Sequence, residues 1–229
     1  MNYKIINDEK ELIRFIEMLP NLNNNEIFYV SLISRNKYMD INDKKIFPDK
    51  IQLKRFTSNK EMLFDKIKQL ECELGFYKYK GLPVPENSIA LYIHPNPRCL
   101  ITATKSSALK LTNFIFNNVK NKNPHQIVLS EIQKSKSYTE FIDYDFDNVS
   151  DEKTLIEKII PLTGNKDAVI PIKTKNGLHV LVNPRFVELT KIKTFHNSII
   201  NLGSDKSGDQ LLPIPGTSQG GFIPKILNL

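Results

Sequence analysis

Residues 141–147 read Phe141-Ile142-Asp143-Tyr144-Asp145-Phe146-Asp147, and this alternation leaves the local backbone few choices. Apolar and acidic residues exchange places with a period of two, the signature of a strand with one face in a core. Ile142, Tyr144 and Phe146 then point inward, while Asp143 and Asp145 share the opposite face about 7 Å apart. Carboxylates that close repel each other unless a cation or a proton lies between them. Hard divalent ions such as Mg2+ or Mn2+ take oxygen ligands of this kind. A bare D-x-D also serves to end an edge strand and keep it from pairing further, with Asp147 and Ser150 capping the next element of the chain.

A second patterned segment lies at Lys173-Thr174-Lys175-Asn176-Gly177-Leu178-His179-Val180-Leu181-Val182. Leu178, Val180 and Val182 form one apolar face, which leaves Gly177 and His179 on the other. A glycine two positions before a strand histidine lets a ligand approach the backbone closely. The imidazole can donate to a phosphate oxygen, with Lys173 and Lys175 standing just upstream. A lone strand histidine is equally an ordinary surface or core residue.

Around these segments the chain alternates helix and strand. A helix is expected over 8–20, where Asp8 and Glu11 have capping-box spacing and Pro20 stops it. Strands are expected at 27–33, 88–93, 138–146, 168–172, 178–182 and 222–227, with a short extended piece at 210–214. Further helices are expected at 58–74, 106–119, 151–160 and 186–202, and a stiff loop at His94-Pro95-Asn96-Pro97-Arg98. Strands and helices mixed at short intervals argue for an α+β or α/β sheet domain. The polar stretch 117–124 is the candidate seam between an N-terminal α/β part, 1–122, and a sheet part, 123–229.

Thirty-two Lys and Arg against 25 Asp and Glu leave a net charge of +7, which suits a polyanionic partner. An AT-rich coding sequence that favours lysine gives the same excess. No stretch approaches the roughly 20 apolar residues that span a bilayer, and none resembles a secretory leader, so a cytoplasmic protein is expected. Cys72 and Cys99 stand far apart, as do the four histidines, so a four-ligand structural zinc is set aside.

In order, a strand bearing D-x-D, a linking helix and a strand bearing G-x-H resemble motifs I and II of the archaeo-eukaryotic primase superfamily. The run KTKNGLHVLV looks especially like the form found in polymerase domains of bacterial end-joining ligases. The resemblance covers about residues 139–221. It implies a primase-polymerase-like mixed sheet with an RRM-like catalytic half flanked by helices. It also implies a two-metal Mg2+ or Mn2+ site on Asp143 and Asp145, and a triphosphate clamp built from Lys173, Thr174, Lys175, Gly177 and His179. The family's third acidic residue maps onto Asp209, with Asp205 in reserve. This chain departs from the pattern there: neither aspartate follows an apolar residue, and Pro213 stands where an arginine is common.

The activity implied is template-dependent nucleotidyl transfer, with DNA and nucleoside triphosphates as partners. One metal would activate a 3′-hydroxyl and the other would steady the pyrophosphate. Arg98, Lys105 and Lys110 are the expected contacts to the nucleic-acid backbone. The glycine-rich stretch 216–221 could admit template or primer, or be a plain turn. No G-x-x-x-x-G-K-[ST] loop is present, so a separate helicase or replication initiator is implied, as for minimal members of the superfamily on mobile elements. A metal-dependent nuclease and a primase-like domain that only binds nucleic acid are the rival readings.

Overall fold

The structure is a computed structural model and describes residues 1–117 and 123–229. The end of the helix expected at 106–119, most of the seam at 117–124 and the division at 122 lie outside the described residues. In chain order the elements begin with α1 (Glu9–Met18), β1 (Glu26–Ser34), α2 (Ile41–Ile46), β2 (Ile51–Ser58) and α3 (Leu63–Lys68). A two-stranded hairpin, β3 (Lys78–Tyr79) with β4 (Leu82–Pro83), leads to β5 (Ile89–Cys99), α4 (Leu100–Phe116) and α5 (Pro124–Lys134). The remainder is β6 (Ile142–Asp147), α6 (Glu152–Thr163), β7 (Val169–Lys173), β8 (Gly177–Val182), α7 (Phe195–Ile200), β9 (Lys206–Gly208), β10 (Leu212–Pro213) and β11 (Lys225–Ile226). The class is mixed α+β, built on antiparallel sheets.

One sheet runs β10-β5-β1-β2 and the other β11-β7-β8-β6-β9. In the first, Phe28, Val30 and Leu32 of β1 and Ile89, Leu91 and Ile93 of β5 join a core with Leu12 and Phe15 of α1 and Leu63 and Ile67 of α3. In the second, Tyr144, Phe146, Leu178, Val180 and Val182 pack against Ile156 and Ile159 of α6 and Phe195 and Ile199 of α7. Its other face is shared: Ile172, Leu181 and Ile226 belong to the first core, with Ile170 packed against it, while Asp143, Asp145 and His179 stand on the same face.

Local chemistry explains the element ends. Asp8 caps α1 by accepting from the Glu11 amide at 3.1 Å, whereas the Glu11 carboxylate accepts from the Ile226 amide and so ties α1 to β11 rather than completing a capping box. Asp151 caps α6 and Gly164, at φ +72°, closes it in the left-handed conformation.

Several expectations shift. The 94–98 segment is not a loop but the buried second half of β5. The 58–74 helix shortens to α3, and the 186–202 helix to α7 after a 3-10 turn at Pro184–Phe186. Helix α4 starts six residues early, at Leu100, and β2 and α5 were not anticipated. Residues 212–220 are buried, so most of the glycine-rich stretch packs inside rather than admitting nucleic acid. Gly216 shows why: at φ +79° its backbone lies against the first turn of α1, where a Cβ would meet the Asp8 carbonyl at 2.4 Å.

Candidate functional site

Strands β6 and β8 pair so that Asp145 faces His179 directly and Asp143 faces Leu181, which makes Asp143 the diagonal neighbour of His179. All three side chains therefore emerge on one face of the second sheet. The imidazole sits between the two carboxylates: Nδ1 lies 3.0 Å from both oxygens of Asp143, and Nε2 lies 3.3 Å from Asp145 Oδ1. An ionised carboxylate only accepts, so Nδ1 carries a proton, and that bond fixes the ring with Nε2 aimed at Asp145. Asp143 is 1% exposed and His179 7%.

Burial in this setting disfavours every charge, and the neighbours decide the outcome. Burial alone would lower the His179 pKa, but the adjacent Asp143, then Asp145 and Asp147, overcome it and raise it above the ordinary imidazole value. Asp145 is pushed up, first by burial and then by the negative charges of Asp143, Asp147 and Asp205, against the opposing pull of His179.

Asp145 and His179 open into a cleft of about 340 Å³ between the two sheets. Its first-sheet wall carries Arg35, Lys37, Tyr38 and Tyr92, and Lys50, Lys206, Asp147 and Gln219 are also among its lining residues. None of these was singled out from the sequence, although basic residues directly after a buried strand (Arg35 and Lys37 after β1) are the kind of signal that marks a strand-end site.

The other anticipated residues divide. Thr174 lines the cleft, and its hydroxyl donates to the Gly177 carbonyl at 3.1 Å, closing the β7–β8 hairpin. Lys175 bends over the Tyr38 ring and bonds the Gly220 carbonyl. Lys173 points away, paired with Glu152 of α6 at 2.8 Å. Gly177 does not make room for a ligand. A Cβ there would meet the Phe146 carbonyl at 2.0 Å, so the missing side chain lets the hairpin close on β6.

Asp209 is turned elsewhere. Arg98 grips it through two nitrogens at 2.7 and 2.6 Å, and Asn96 donates to it at 3.1 Å. Burial alone would raise its pKa, but His94, Arg98 and Asn96 hold the carboxyl well below the usual carboxylate range. Arg98, expected to face nucleic acid, is 1% exposed and is a buried ion-pair partner. Asp205 lies nearer the acidic pair: its amide donates to the Asp145 carbonyl and its carboxylate accepts from the Asp147 amide at 2.8 Å. Lys110 pairs with Glu131 across α4 and α5, and Lys105 is exposed on α4.

Asp143 and Asp145 are the oxygen donors on this face that could hold a hard divalent ion. A third protein ligand is not assembled: no group of three or more His, Cys, Asp or Glu side chains that could hold a metal ion occurs among the described residues. No helix among them is long and apolar enough to cross a membrane. No protein-family model, curated protein or solved structure matches the chain.

Proposed function

We propose that this chain is a template-dependent nucleotidyltransferase of the primase-polymerase type, joining nucleoside triphosphates to a 3′-hydroxyl on a DNA template. The observation that carries this reading is the convergence of Asp143, Asp145 and His179 on one sheet face beside a cleft rich in cations. In this reading the second sheet is the RRM-like catalytic half, and the first sheet with its helices is the flanking part.

Each residue then has a task its position supports. Asp143 and Asp145 would hold Mg2+ or Mn2+, which when bound supplies charge neutralisation at the attacking hydroxyl and the leaving pyrophosphate. Asp143 also orients the imidazole. A phosphate oxygen entering the cleft would compete with Asp145 for the Nε2 edge of His179. Lys175 and the cationic wall opposite neutralise the triphosphate, so positioning and electrostatics carry the catalysis.

Primer extension with labelled nucleotides and Mn2+ tests the reading. The wild type extends the primer, and the double variant Asp143→Ala/Asp145→Ala does not. Extension that survives in the variant, or a labelled strand that shortens instead, overturns the reading. A second reading, a primase-like domain that binds nucleic acid without catalysis, draws on the engagement of Asp209 by Arg98 and Asn96. Under it the same assay leaves strands unchanged while a gel shift weakens steeply with salt.

A further inference from the structure

At the edge of the cleft Lys37, which the resemblance did not bring forward, and Lys175 each bring an ammonium group to one aromatic ring, that of Tyr38. Lys37 stands in the 3-10 turn Asn36–Tyr38 directly after β1, and Lys175 stands at the tip of the β7–β8 hairpin. Their Nζ atoms lie 5.3 and 4.7 Å from the centroid of Tyr38. Gly220 packs directly against the ring, where a Cβ would meet it at 2.3 Å.

No carboxylate lies within salt-bridge distance of either amine among the described residues. Lys175 donates to a backbone carbonyl, and Lys37 faces Asn176, whose amide oxygen, turned toward it, accepts at 3.1 Å. Arg35 stands on the same wall, held by Asp49 and by the Tyr92 hydroxyl. A tyrosine ring steadies a cation without cancelling its charge, so the arrangement collects positive charge and leaves it unspent. Burial holds both amines below the ordinary lysine value, and for Lys37 the charge of Arg35 adds to the effect. A bound polyanion relieves that penalty.

We propose that Lys37 and Lys175 form a split clamp for an oligophosphate chain, so that the polyphosphate site is complete only when the first sheet supplies Lys37. This deepens the nucleotidyltransferase reading and rests on it for the identity of the ligand as a nucleoside triphosphate; the clamp itself rests on the geometry. The two ammonium groups would take non-bridging phosphate oxygens, with the Tyr38 ring in contact with both amines.

Binding of inorganic tripolyphosphate to the full chain, measured by calorimetry, tests the clamp apart from any catalysis. Lys37→Ala and Lys175→Ala are each expected to weaken binding about tenfold. Lys37→Arg keeps most of the affinity, and Lys153→Ala, at an exposed position on α6, changes nothing. Both lysines are exposed as residues, with only part of each amine covered, so the variants are expected to melt like the wild type. Tripolyphosphate binding that depends on both lysines, without nucleotide incorporation, upholds the clamp and removes the transferase reading. Incorporation with unchanged KM and unchanged tripolyphosphate affinity in Lys37→Ala overturns the clamp and leaves the transferase standing. No measurable tripolyphosphate binding by the wild type also overturns it.

Discussion

His179 stands between two carboxylates, and its proton governs how the unliganded site responds to pH. Its folded-state pKa is raised, chiefly because the carboxylates of Asp143, Asp145 and Asp147 outweigh burial. The folded protein therefore binds this proton more tightly than the unfolded chain does. The resulting stability is complete below the ordinary histidine value of about 6.5 and is lost as pH rises through the elevated folded value. Asp145, also raised, acts with the same sign from the carboxylate range upward. In chelator, the melting temperature is expected to fall as pH rises above the ordinary histidine value of about 6.5, and His179→Gln flattens that slope; an unchanged slope in the variant refutes the assignment. Asp209 works the other way. Its depressed pKa supplies stability that is present above about pH 4 and lost as pH falls through the acid range. Asp209→Ala leaves the buried guanidinium of Arg98 without its carboxylate, and chemical denaturation is expected to show a loss of about 3 kcal/mol. A loss under about 1 kcal/mol, as for a surface pair, would contradict the burial argument.

At the scale of elements, the hairpin β7–β8 depends on Gly177, because Phe146 occupies the space a side chain needs. Gly177→Ala is expected to cost about 1–3 kcal/mol as overpacking and to loosen the register that sets His179 against Asp145. A variant that melts like the wild type would show that β6 yields there without cost. Legibility in the sequence ran along the same lines of force. β6 is readable because apolar and acidic residues alternate along it, β8 because Gly177 and His179 interrupt an otherwise apolar run, and α1 because Asp8 and Pro20 mark its ends. From sequence β5 reads as ending at Ile93, because Pro95 and Pro97 suggest a loop. β10 pairs only with Ile93 and Tyr92, and the register with β1 slips between Ile27 and Tyr29. The prolines thus sit where few ladder bonds are asked of them. β2, Ile-Gln-Leu-Lys-Arg-Phe-Thr-Ser over 51–58, is an edge strand with only its end residues buried, so it carried no clean alternation. The triad of Asp143, Asp145 and His179 was legible because one sheet face unites them. The cationic wall was not, since it comes from the end of β1, more than a hundred residues away in the chain.

At the scale of the whole molecule, the two sheets share a core as well as a cleft. Ile172, Leu181 and Ile226 of the second sheet belong to the same apolar cluster as α1, β1 and β5. The chain also crosses back: β10, late in the sequence, pairs with β5 of the first sheet, and Ile214 accompanies it into that cluster. A fragment spanning 123–229 would leave Ile172, Leu181, Leu212 and Ile214 without their partners, each worth about 1.5–3 kcal/mol when fully buried. Set against the roughly 5–15 kcal/mol by which a typical domain is stable, that loss is decisive. The full chain is expected to melt in one cooperative transition, and the fragment to show none and to bind a dye for exposed apolar surface. A fragment with its own sharp transition would mean that the acidic pair and His179 belong to an independent unit. The lysine wall would then be a separate body brought alongside, and Lys37 would no longer be held to the site by a common core.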